Sequence, residues 1–382
     1  MTEYKVPGVY VEESSFRSKS IEGVSTTTAG FAGVCQSGPL NSPQMVTSLA
    51  EFEHAFGGRP LQVLNESPSI NYLWHSARAF FEQGGKRLYI SRVSSGNSVD
   101  YEAGIKAFED VPDISIVAAP GSTANFAEHA DDALATMRLL IAHAERMKYR
   151  FAILDCGDRQ SVGDVRTLRG KFDSSYAALY FPWVRVVDSI SGLEISLPPS
   201  GFVAGIFART DITRSVSKAP ANQVVYLATG FELSITQAQQ DVLNPEGINC
   251  FRSFPGRGNL LWGARTVSSD PEWKYVNLRR YLAYLEQSID RGTQWAVFEH
   301  NGESLWNNVR RAIEDFLFSE WKSGSLIGDK PEKAYFVRCD PSTMTQSDLD
   351  NGRMVCLIGV APMKPAEFVI FRIGQWTADH PH

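Results

Sequence analysis

The run Ile114-Ser115-Ile116-Val117-Ala118-Ala119 begins the stretch of sequence that decides the fold. It is a short apolar run of the kind that forms a buried strand, and the turn residues Gly121-Ser122-Thr123 follow it. Phe126–Met147 then places apolar side chains at helical spacing, and Phe151–Asp155 and Ala177–Val187 are further strand-like runs. Strands that alternate with a helix in this way predict an α/β layer whose sheet is at least partly parallel.

Similar patterns continue on both sides of this layer and predict a mixed α/β (α+β) chain. Strands are predicted at Ser25–Val34, Leu88–Ile90, Trp295–Glu299, Ala334–Cys339 and Met354–Val360, and helices at Leu49–Phe56, Ser69–Gln83, Phe202–Ala208, Ser269–Gly292 and Ser304–Lys322. The polar stretch Ser94–Asp100 is interpreted as a linker.

The composition excludes several classes of protein. The chain has 382 residues, of which 43% are hydrophobic, so it is long enough to bury a sizeable core. Its 37 Lys and Arg residues are outnumbered by 43 Asp and Glu residues, and the net charge of −6 disfavours a nucleic-acid binder. The first residues carry an early acid and lack the apolar region of a signal peptide. Because no stretch approaches the roughly 18 apolar residues of a membrane span, we expect a soluble chain without direct membrane insertion.

A search for catalytic or metal-binding motifs finds none that is complete. Gly85-Lys86 lacks the upstream glycine of a phosphate-binding loop, and Gly256-Arg257-Gly258 lacks the third glycine of a dinucleotide fingerprint. The seven histidines show neither H-E-x-x-H spacing nor a pairing with any of the five widely spaced cysteines. We therefore predict no catalytic residue, no metal and no cofactor, and hence no enzyme. An α/β hydrolase-like enzyme that uses the middle layer is kept as the alternative of a different class.

Both ends of the chain carry short β-rich runs for which the sequence offers no partner. Pro7-Gly8 prevents a helix, and Val9-Tyr10-Val11 is followed by the polar stretch Glu12–Ser20, which is too poor in apolar residues to fold alone. Phe368–Ile373 is apolar on both faces, which is typical of a strand in the middle of a covered sheet. The chain ends soon afterwards, so we expect its second neighbour to come from another chain.

Several motifs outside the middle of the chain point to a known family. They are Pro7-Gly8-Val9-Tyr10-Val11-Glu12-Glu13, Ala29-Gly30-Phe31-Ala32-Gly33, Trp262-Gly263-Ala264-Arg265-Thr266, Asp270-Pro271-Glu272-Trp273-Lys274-Tyr275, Trp295-Ala296-Val297-Phe298-Glu299-His300-Asn301 and Pro365-Ala366-Glu367-Phe368-Val369-Ile370-Phe371. In these motifs the sequence resembles contractile tail sheath proteins, although His300 stands where the family usually has a proline or another residue. The resemblance covers residues 1–35 and the chain from about Asn249 onward, and it is only architectural in between.

The resemblance implies a structural polymer. Its subunits would form stacked hexameric rings around an inner tail tube, bind baseplate and tail terminator proteins, and contract to drive the tube through a target envelope. The particle would be a virion tail assembled in the host bacterial cytoplasm, or alternatively an injection particle encoded by a bacterium. Terminal arms that add strands to neighbouring subunits are a further feature of that family, and we assign them to Val9, Tyr10 and Val11 and to Phe368, Val369, Ile370 and Phe371.

The resemblance also implies an inner α/β domain with exchanged terminal strands and an outer α/β insertion domain. We accordingly predict an extended arm over residues 1–22, an outer and middle domain over 23–258, an inner domain over 259–364, and a C-terminal arm strand over 365–382.

Basic residues in the last third of the chain are candidates for contact with the tube. Lys274, Arg279, Arg280, Arg310, Arg311 and Lys322 are predicted to lie on the polar faces of two helices. One interpretation is a solvated surface balanced by nearby glutamates. The sharper hypothesis is that Arg310 and Arg311, with Lys322 at the basic end of the same helix, face an acidic stripe on the tube.

Overall fold

The computed structural model describes residues 20–60, 62–64, 67–188, 191–368 and 370. The strands are β1 (Ala29–Val34), β2 (Gln44–Val46), β3 (Gln62–Leu64), β4 (Ser67–Ser69), β5 (Leu88–Val93), β6 (Ile116–Ala118), β7 (Phe151–Asp155), β8 (Ala177–Phe181), β9 (Val184–Val187), β10 (Glu194–Leu197), β11 (Gln223–Val224), β12 (Ala228–Phe231), β13 (Ile248–Phe254), β14 (Gly258–Trp262), β15 (Tyr335–Arg338) and β16 (Leu357–Val360). The helices are α1 (Leu49–Phe56), α2 (Tyr72–Glu82), α3 (Ser98–Lys106), α4 (Phe126–Met147), α5 (Val162–Arg169), α6 (Ser200–Thr213), α7 (Gln237–Leu243), α8 (Val276–Thr293), α9 (Glu303–Lys322), α10 (Pro331–Ala334) and α11 (Gln346–Asp350).

A nine-stranded sheet in the order β11-β14-β13-β8-β7-β6-β1-β5-β2 organises the first two thirds of the chain. Its six middle strands, from β13 to β5, run parallel to their neighbours. The outer strands β2, β14 and β11 are antiparallel. This mixed sheet confirms the predicted α/β class, and its parallel part follows from the strand–helix alternation around α4.

Helices cover both faces of this sheet. Successive residues of a strand point to opposite faces, so neighbouring residues enter different cores. Phe31 and Ile153 belong to the core on the face that α1, α2 and α6 cover. Their chain neighbours Ala32 and Leu154 belong to the core on the other face, which α3, α4, α5 and α7 cover. Helix α6 is buried on nearly all sides, as its continuous apolar run predicts.

The last third of the chain has a separate core, in which α8 and α9 pack on the β15–β16 hairpin. Its members include Leu285 on α8, Phe316 on α9 and Val337 on β15. Ile21, at the start of the described chain, also belongs to this core, and the amide of Val24 donates to Ser288 Oγ of α8 at 3.1 Å. The segment that follows the predicted N-terminal arm therefore runs along α8.

A buried ion pair joins the two regions. Arg280 of α8 lies 2.6 Å from Asp211 at the end of α6, and their side chains are 4% and 2% exposed. The Thr26 hydroxyl donates to Asp211 at 2.6 Å, and the Thr26 carbonyl oxygen accepts from Arg280 at 2.9 Å. The N-terminal segment, the central sheet region and the C-terminal region thus meet at one charged contact.

Four local predictions are wrong in whole or in part. Trp295–Glu299 is not a strand, because Gln294–Ala296 forms a 3-10 turn and Val297 and Phe298 are exposed in a loop. Ala177–Val187 is two strands in different sheets, since Pro182 lacks the N–H that would continue the ladder. The predicted linker Ser94–Asp100 already contains the start of α3 at Ser98. The helix predicted from Ser269 begins as a separate 3-10 turn at Pro271–Trp273.

Candidate functional site

The β15–β16 hairpin is the element of the C-terminal region that is open to further strands. The two strands pair antiparallel from Tyr335 with Val360 to Arg338 with Leu357. Within the described residues no third strand joins this sheet. Phe336 is 53% exposed, and Leu357 and Ile358 are exposed as well. Unpaired strand edges with exposed apolar side chains are surfaces on which another strand can add.

A carboxylate clamp holds the chain where it leaves this hairpin. The two carboxylate oxygens of Glu367 accept from Arg265 Nε and Nη2, each at 2.7 Å, in a bidentate pair. Asn244 Nδ2 donates to Glu367 at 2.7 Å, and the Tyr275 hydroxyl donates at 3.0 Å. Lys274 Nζ lies 3.5 Å away. We call these five residues the Glu367 clamp.

The electrostatics of the clamp favour an ionised glutamate. Burial by itself would raise the pKa of Glu367, but the hydrogen bonds from Arg265 and Asn244 and the Arg265 charge outweigh it and lower the pKa to about 2. Arg265 is itself buried and also donates to the Asn244 carbonyl oxygen at 2.8 Å. The clamp therefore fixes one point of the terminal segment to the central sheet region throughout the neutral range.

The two described residues beyond the clamp are exposed. Phe368 is 70% exposed and Ile370 is 79% exposed, although both are large and apolar. The other predicted strand-exchange residues, Val369, Phe371 and Val9-Tyr10-Val11, lie outside the described residues. Strand exchange by these residues stays a prediction.

The three tube-facing candidates lie on α9, two of them at consecutive positions. Arg310 and Arg311 are neighbours, whereas Lys322 lies at the far end of the helix, about 16 Å further along its axis. Arg310 donates to Asn307 Oδ1 at 3.0 Å and lies 3.9 Å from Glu314. Arg311 and Lys322 are exposed, and Lys322 Nζ lies 5.7 Å from the centre of the Phe318 ring.

The prediction that Arg279 and Arg280 lie on a polar helix face is wrong. They are only 4% and 5% exposed, because α8 packs between the two regions. Arg280 is held by Asp211, and the Arg279 guanidinium stacks 4.5 Å from the Trp273 ring and 4.7 Å from the Tyr176 ring. Lys274 lies just before α8 and belongs to the Glu367 clamp.

Sequence reasoning missed the Glu367 clamp and the Arg280–Asp211 pair. Glu367 and Arg265 stand in two of the motifs that carry the family resemblance, yet they are 102 positions apart and neither motif indicates a partner. The signal available in the sequence was a lone carboxylate, that of Glu367, just before an apolar run. Among the described residues, no group of three or more His, Cys, Asp or Glu side chains is placed to hold a metal ion. None of the helices described is long and apolar enough to cross a membrane.

Comparison with known proteins identifies relatives for nearly the whole chain. Residues 97–267 match the phage tail sheath protein central domain, and residues 268–375 match the phage tail sheath C-terminal domain. The helical sheath of the anti-feeding prophage in its contracted state is 30% identical, with a TM-score of 0.80 over 98% of this chain and 100% of that one. The sheath of an extracellular contractile injection system, PVC, also contracted, is 28% identical, with a TM-score of 0.81 over 98% and 99%.

Phage and prophage sheath proteins match at lower identity, several of them over shorter stretches. A putative prophage major tail sheath protein of Pseudomonas aeruginosa strain UCBPP-PA14 is 26% identical over 245 residues, which cover 62% of this chain and 61% of that protein. The tail sheath protein of Enterobacteria phage T4 is 25% identical over 219 residues, which cover 55% of this chain and 32% of the phage protein. The two domain matches and the full-length likeness to sheath structures agree with the family indicated by the sequence motifs. The chain belongs to the phage tail sheath protein family.

Proposed function

We propose that the chain is the repeating subunit of a contractile sheath, assembled as stacked hexameric rings around an inner tube that contraction drives through a target envelope. The observation that carries this proposal is the open β15–β16 hairpin, with exposed apolar residues on it, next to a clamped terminal segment that continues into exposed Phe368 and Ile370. The hairpin edge that could accept a strand and the terminal segment that could donate one occur in the same chain. Copies of such a chain can complete one another's sheets, which makes a lattice rather than a closed pair.

Strand addition suits a lattice that changes shape. Main-chain hydrogen bonds between strands do not depend on side-chain identity, so a donated arm can stay paired while the bodies of the subunits move. We propose that Val9–Val11 and Phe368–Phe371 are the two donated strands. Contraction would draw on contacts made metastable during assembly, and we infer a structural rather than a catalytic role.

Two kinds of particle use such a subunit, and we favour the injection particle. The relatives that match this chain over 97–98% of its length at 28–30% identity are sheath or baseplate structures of the anti-feeding prophage and of PVC. The phage sheath protein that matches over a similar share of the chain, that of Serratia phage KSP20, is 22% identical over 96% of it. A phage tail is the second candidate, and in both cases the chain would be part of a tail assembled inside the producing bacterium.

Inner tube, baseplate and tail terminator proteins are the proposed partners. We propose that residues 259–364 form the inner domain that faces the tube and that residues 23–258 lie outside it. The exposed face of α9, with Arg310 and Arg311, belongs to the proposed inner domain. The central sheet extends to Trp262, so the two proposed domains share β14, which is the second strand from one edge of the sheet.

Truncation of the arms tests the proposal. One variant lacks Met1–Ser14, and a second ends at Glu367 and so keeps the clamp. We expect both to show the circular dichroism and thermal unfolding of the full chain, yet to form no rods by negative-stain electron microscopy when produced with the inner tube protein. A control that lacks only Ala378–His382 should still polymerise.

Rods of normal length from either arm truncation would contradict strand exchange. Discrete small particles from the full chain, with or without the tube protein, would contradict the sheath function itself and would favour the enzyme alternative.

A further inference from the structure

Two cysteines face each other at the end of the β15–β16 ladder. The ladder ends with Arg338 paired with Leu357, and extending its register by one position places Cys339 opposite Cys356. Cys339 is buried and Cys356 is half-buried, and both thiols are free. The two side chains are close enough for each to shift the pKa of the other. The two thiols therefore lie near each other across one hairpin.

The hydrogen-bonding pattern places this pair at a favourable position for a disulfide. The amide of Ala361 donates to the Ala334 carbonyl at 2.8 Å, which marks a hydrogen-bonded pair. Pairs alternate along an antiparallel ladder, so Cys339 and Cys356, five positions further, form a non-hydrogen-bonded pair. Cα atoms in such pairs are about 4.5 Å apart, and disulfides span about 4.4–6.8 Å between Cα atoms. The ordinary spacing of such a pair therefore falls within the range that a disulfide spans.

The central sheet provides an internal contrast. Cys250 on β13 is paired with Phe181 of β8, and Cys156 follows directly after β7, on the other side of β8. The Cα atoms of the two cysteines are thus two strand spacings apart, about 9.6 Å, which is beyond the Cα separation that a disulfide spans. Both are buried, as is Cys35. Burial alone therefore does not distinguish the cysteines, whereas the cross-strand position does.

We propose that Cys339 and Cys356 form a two-electron redox site, which is a dithiol in reducing surroundings and a cross-strand disulfide in oxidising ones. The co-reactant is a small aliphatic disulfide. The thiolate of the more accessible Cys356 attacks it, forms a mixed disulfide and releases one small thiolate. The thiolate of Cys339 then attacks the Cys356 sulfur and releases the second. Two protein thiols lose two electrons and two protons, and the small disulfide is reduced to two thiols.

The surroundings of the pair make this reaction slow rather than forbidden. Burial raises the pKa of Cys356 to about 12, and burial also raises the pKa of Cys339, although the hydrogen bond from Cys356 and the charge of Arg310 partly offset it. The reacting thiolates are therefore scarce near neutral pH. The thiols would remain reduced during assembly in a bacterial cytoplasm and oxidise after release, a consequence that rests on the proposed function.

The disulfide would stiffen the hairpin on which the proposed arms add. It closes the loop between the two strands, which contains α11 and the turn at Asn351 and Gly352. A cross-link of this length removes conformational freedom mainly from the unfolded chain. The hairpin then retains its register even when no arm is paired with it.

Oxidation of the purified full chain with oxidised glutathione tests the site without any need for polymerisation. After denaturation, alkylation and digestion with trypsin, we expect Cys339–Arg353 and Met354–Arg372 to be recovered as one cross-linked species, two hydrogen masses lighter than the separate peptides. Cys35, Cys156 and Cys250 should be alkylated in full. The oxidised chain should also melt about 5 °C higher than the reduced chain.

Two variants make the result decisive. Cys356→Ser should lose both the cross-link and the difference between oxidised and reduced melting, whereas Cys35→Ser should keep both. If Cys356→Ser does not fold, the comparison of oxidised with reduced wild-type chain still decides the matter. Recovery of both peptides in alkylated form after prolonged oxidation, or a cross-link between other cysteines, would overturn the proposal. Because the assay uses the isolated chain, these outcomes do not depend on whether the chain forms a sheath.

Discussion

The central sheet region and the C-terminal region differ in how far each is completed by its own chain. The nine-stranded sheet has helices on both faces, and its middle strands are buried along their length. The C-terminal hairpin has only two strands in the described part of the chain, and it exposes Phe336, Leu357 and Ile358. The difference suggests that the first region supplies stability and that the second is built to be completed by other copies.

Replacing one phenylalanine in each region separates stability from assembly. Phe207→Ala in α6 removes a fully buried ring that packs on Tyr180, and we expect a loss of about 3–5 kcal/mol in the free energy of unfolding. Phe336→Ala on β15 should cost less than about 1 kcal/mol, because the ring is already half exposed. Denaturant unfolding measures both changes. Of these two variants, only Phe336→Ala should shorten the sheaths seen by electron microscopy without a large loss of stability. A large loss of stability from Phe336→Ala would show that this ring is already packed in a core of the subunit, and would contradict an open hairpin.

The ion pair between the regions should have the next largest effect. Arg280→Ala leaves Asp211 buried without its cation, and we expect destabilisation by about 3 kcal/mol. Arg291→Ala is the matched control on the same helix, since its partner Asp113 lies 3.3 Å away and both side chains are 42% exposed. An exposed pair of this kind contributes about 0.2–1 kcal/mol. Equal effects of the two substitutions in thermal unfolding would mean that the junction between the regions is solvated.

Weakening the Glu367 clamp should have a smaller effect on stability and a specific dependence on pH. Glu367→Gln loses the charge that Arg265 holds, and we expect a cost of about 1–2 kcal/mol at pH 7. Because folding lowers the pKa of Glu367 to about 2, its contribution is complete above its ordinary value and is lost as the pH falls toward 2. The difference between wild type and variant should therefore shrink from pH 5 to pH 2.

A control for the clamp is Glu246→Gln. Glu246 receives a bidentate pair from Arg166 on α5, and both side chains are about a third to a half exposed. We expect a smaller effect on unfolding and none on rod formation. A difference for Glu367→Gln that does not change with pH would contradict the assigned role of its charge.

How much the sequence predicts depends on whether the signal is local. Helix α1 at Leu49–Phe56 and helix α4 at Phe126–Met147 are found at their predicted bounds, because their apolar spacing and their ends are written in consecutive residues. The charged contacts were not predictable in this way. Arg280 meets Asp211 at a separation of 69 positions and Glu367 meets Arg265 at 102, so only the tertiary fold brings them together.

The same distinction explains the wrong strand at Trp295–Glu299. Its apolar residues follow a strand pattern, but in the described part of the chain no strand pairs with this segment, and Val297 and Phe298 are exposed. A β pattern predicts a strand only where the fold supplies a partner for its hydrogen bonds.

The smallest effect on the isolated chain is expected from the double reversal Arg310→Glu and Arg311→Glu on α9. Arg310 already has Glu314 one turn away, so the reversal turns a weak attraction into a weak repulsion of about 0.5 kcal/mol, and the subunit should stay folded. If these arginines face an acidic stripe on the tube, sheaths should fail to form on tubes, and raised salt should weaken assembly of the wild type. The matched control is Lys106→Glu with Arg138→Glu on the exposed faces of α3 and α4, which changes the net charge equally in the proposed outer domain. Sheathed tubes of normal length from the α9 variant would assign Arg310 and Arg311 to the solvated surface, and failure of both variants would point to net charge rather than to a tube contact.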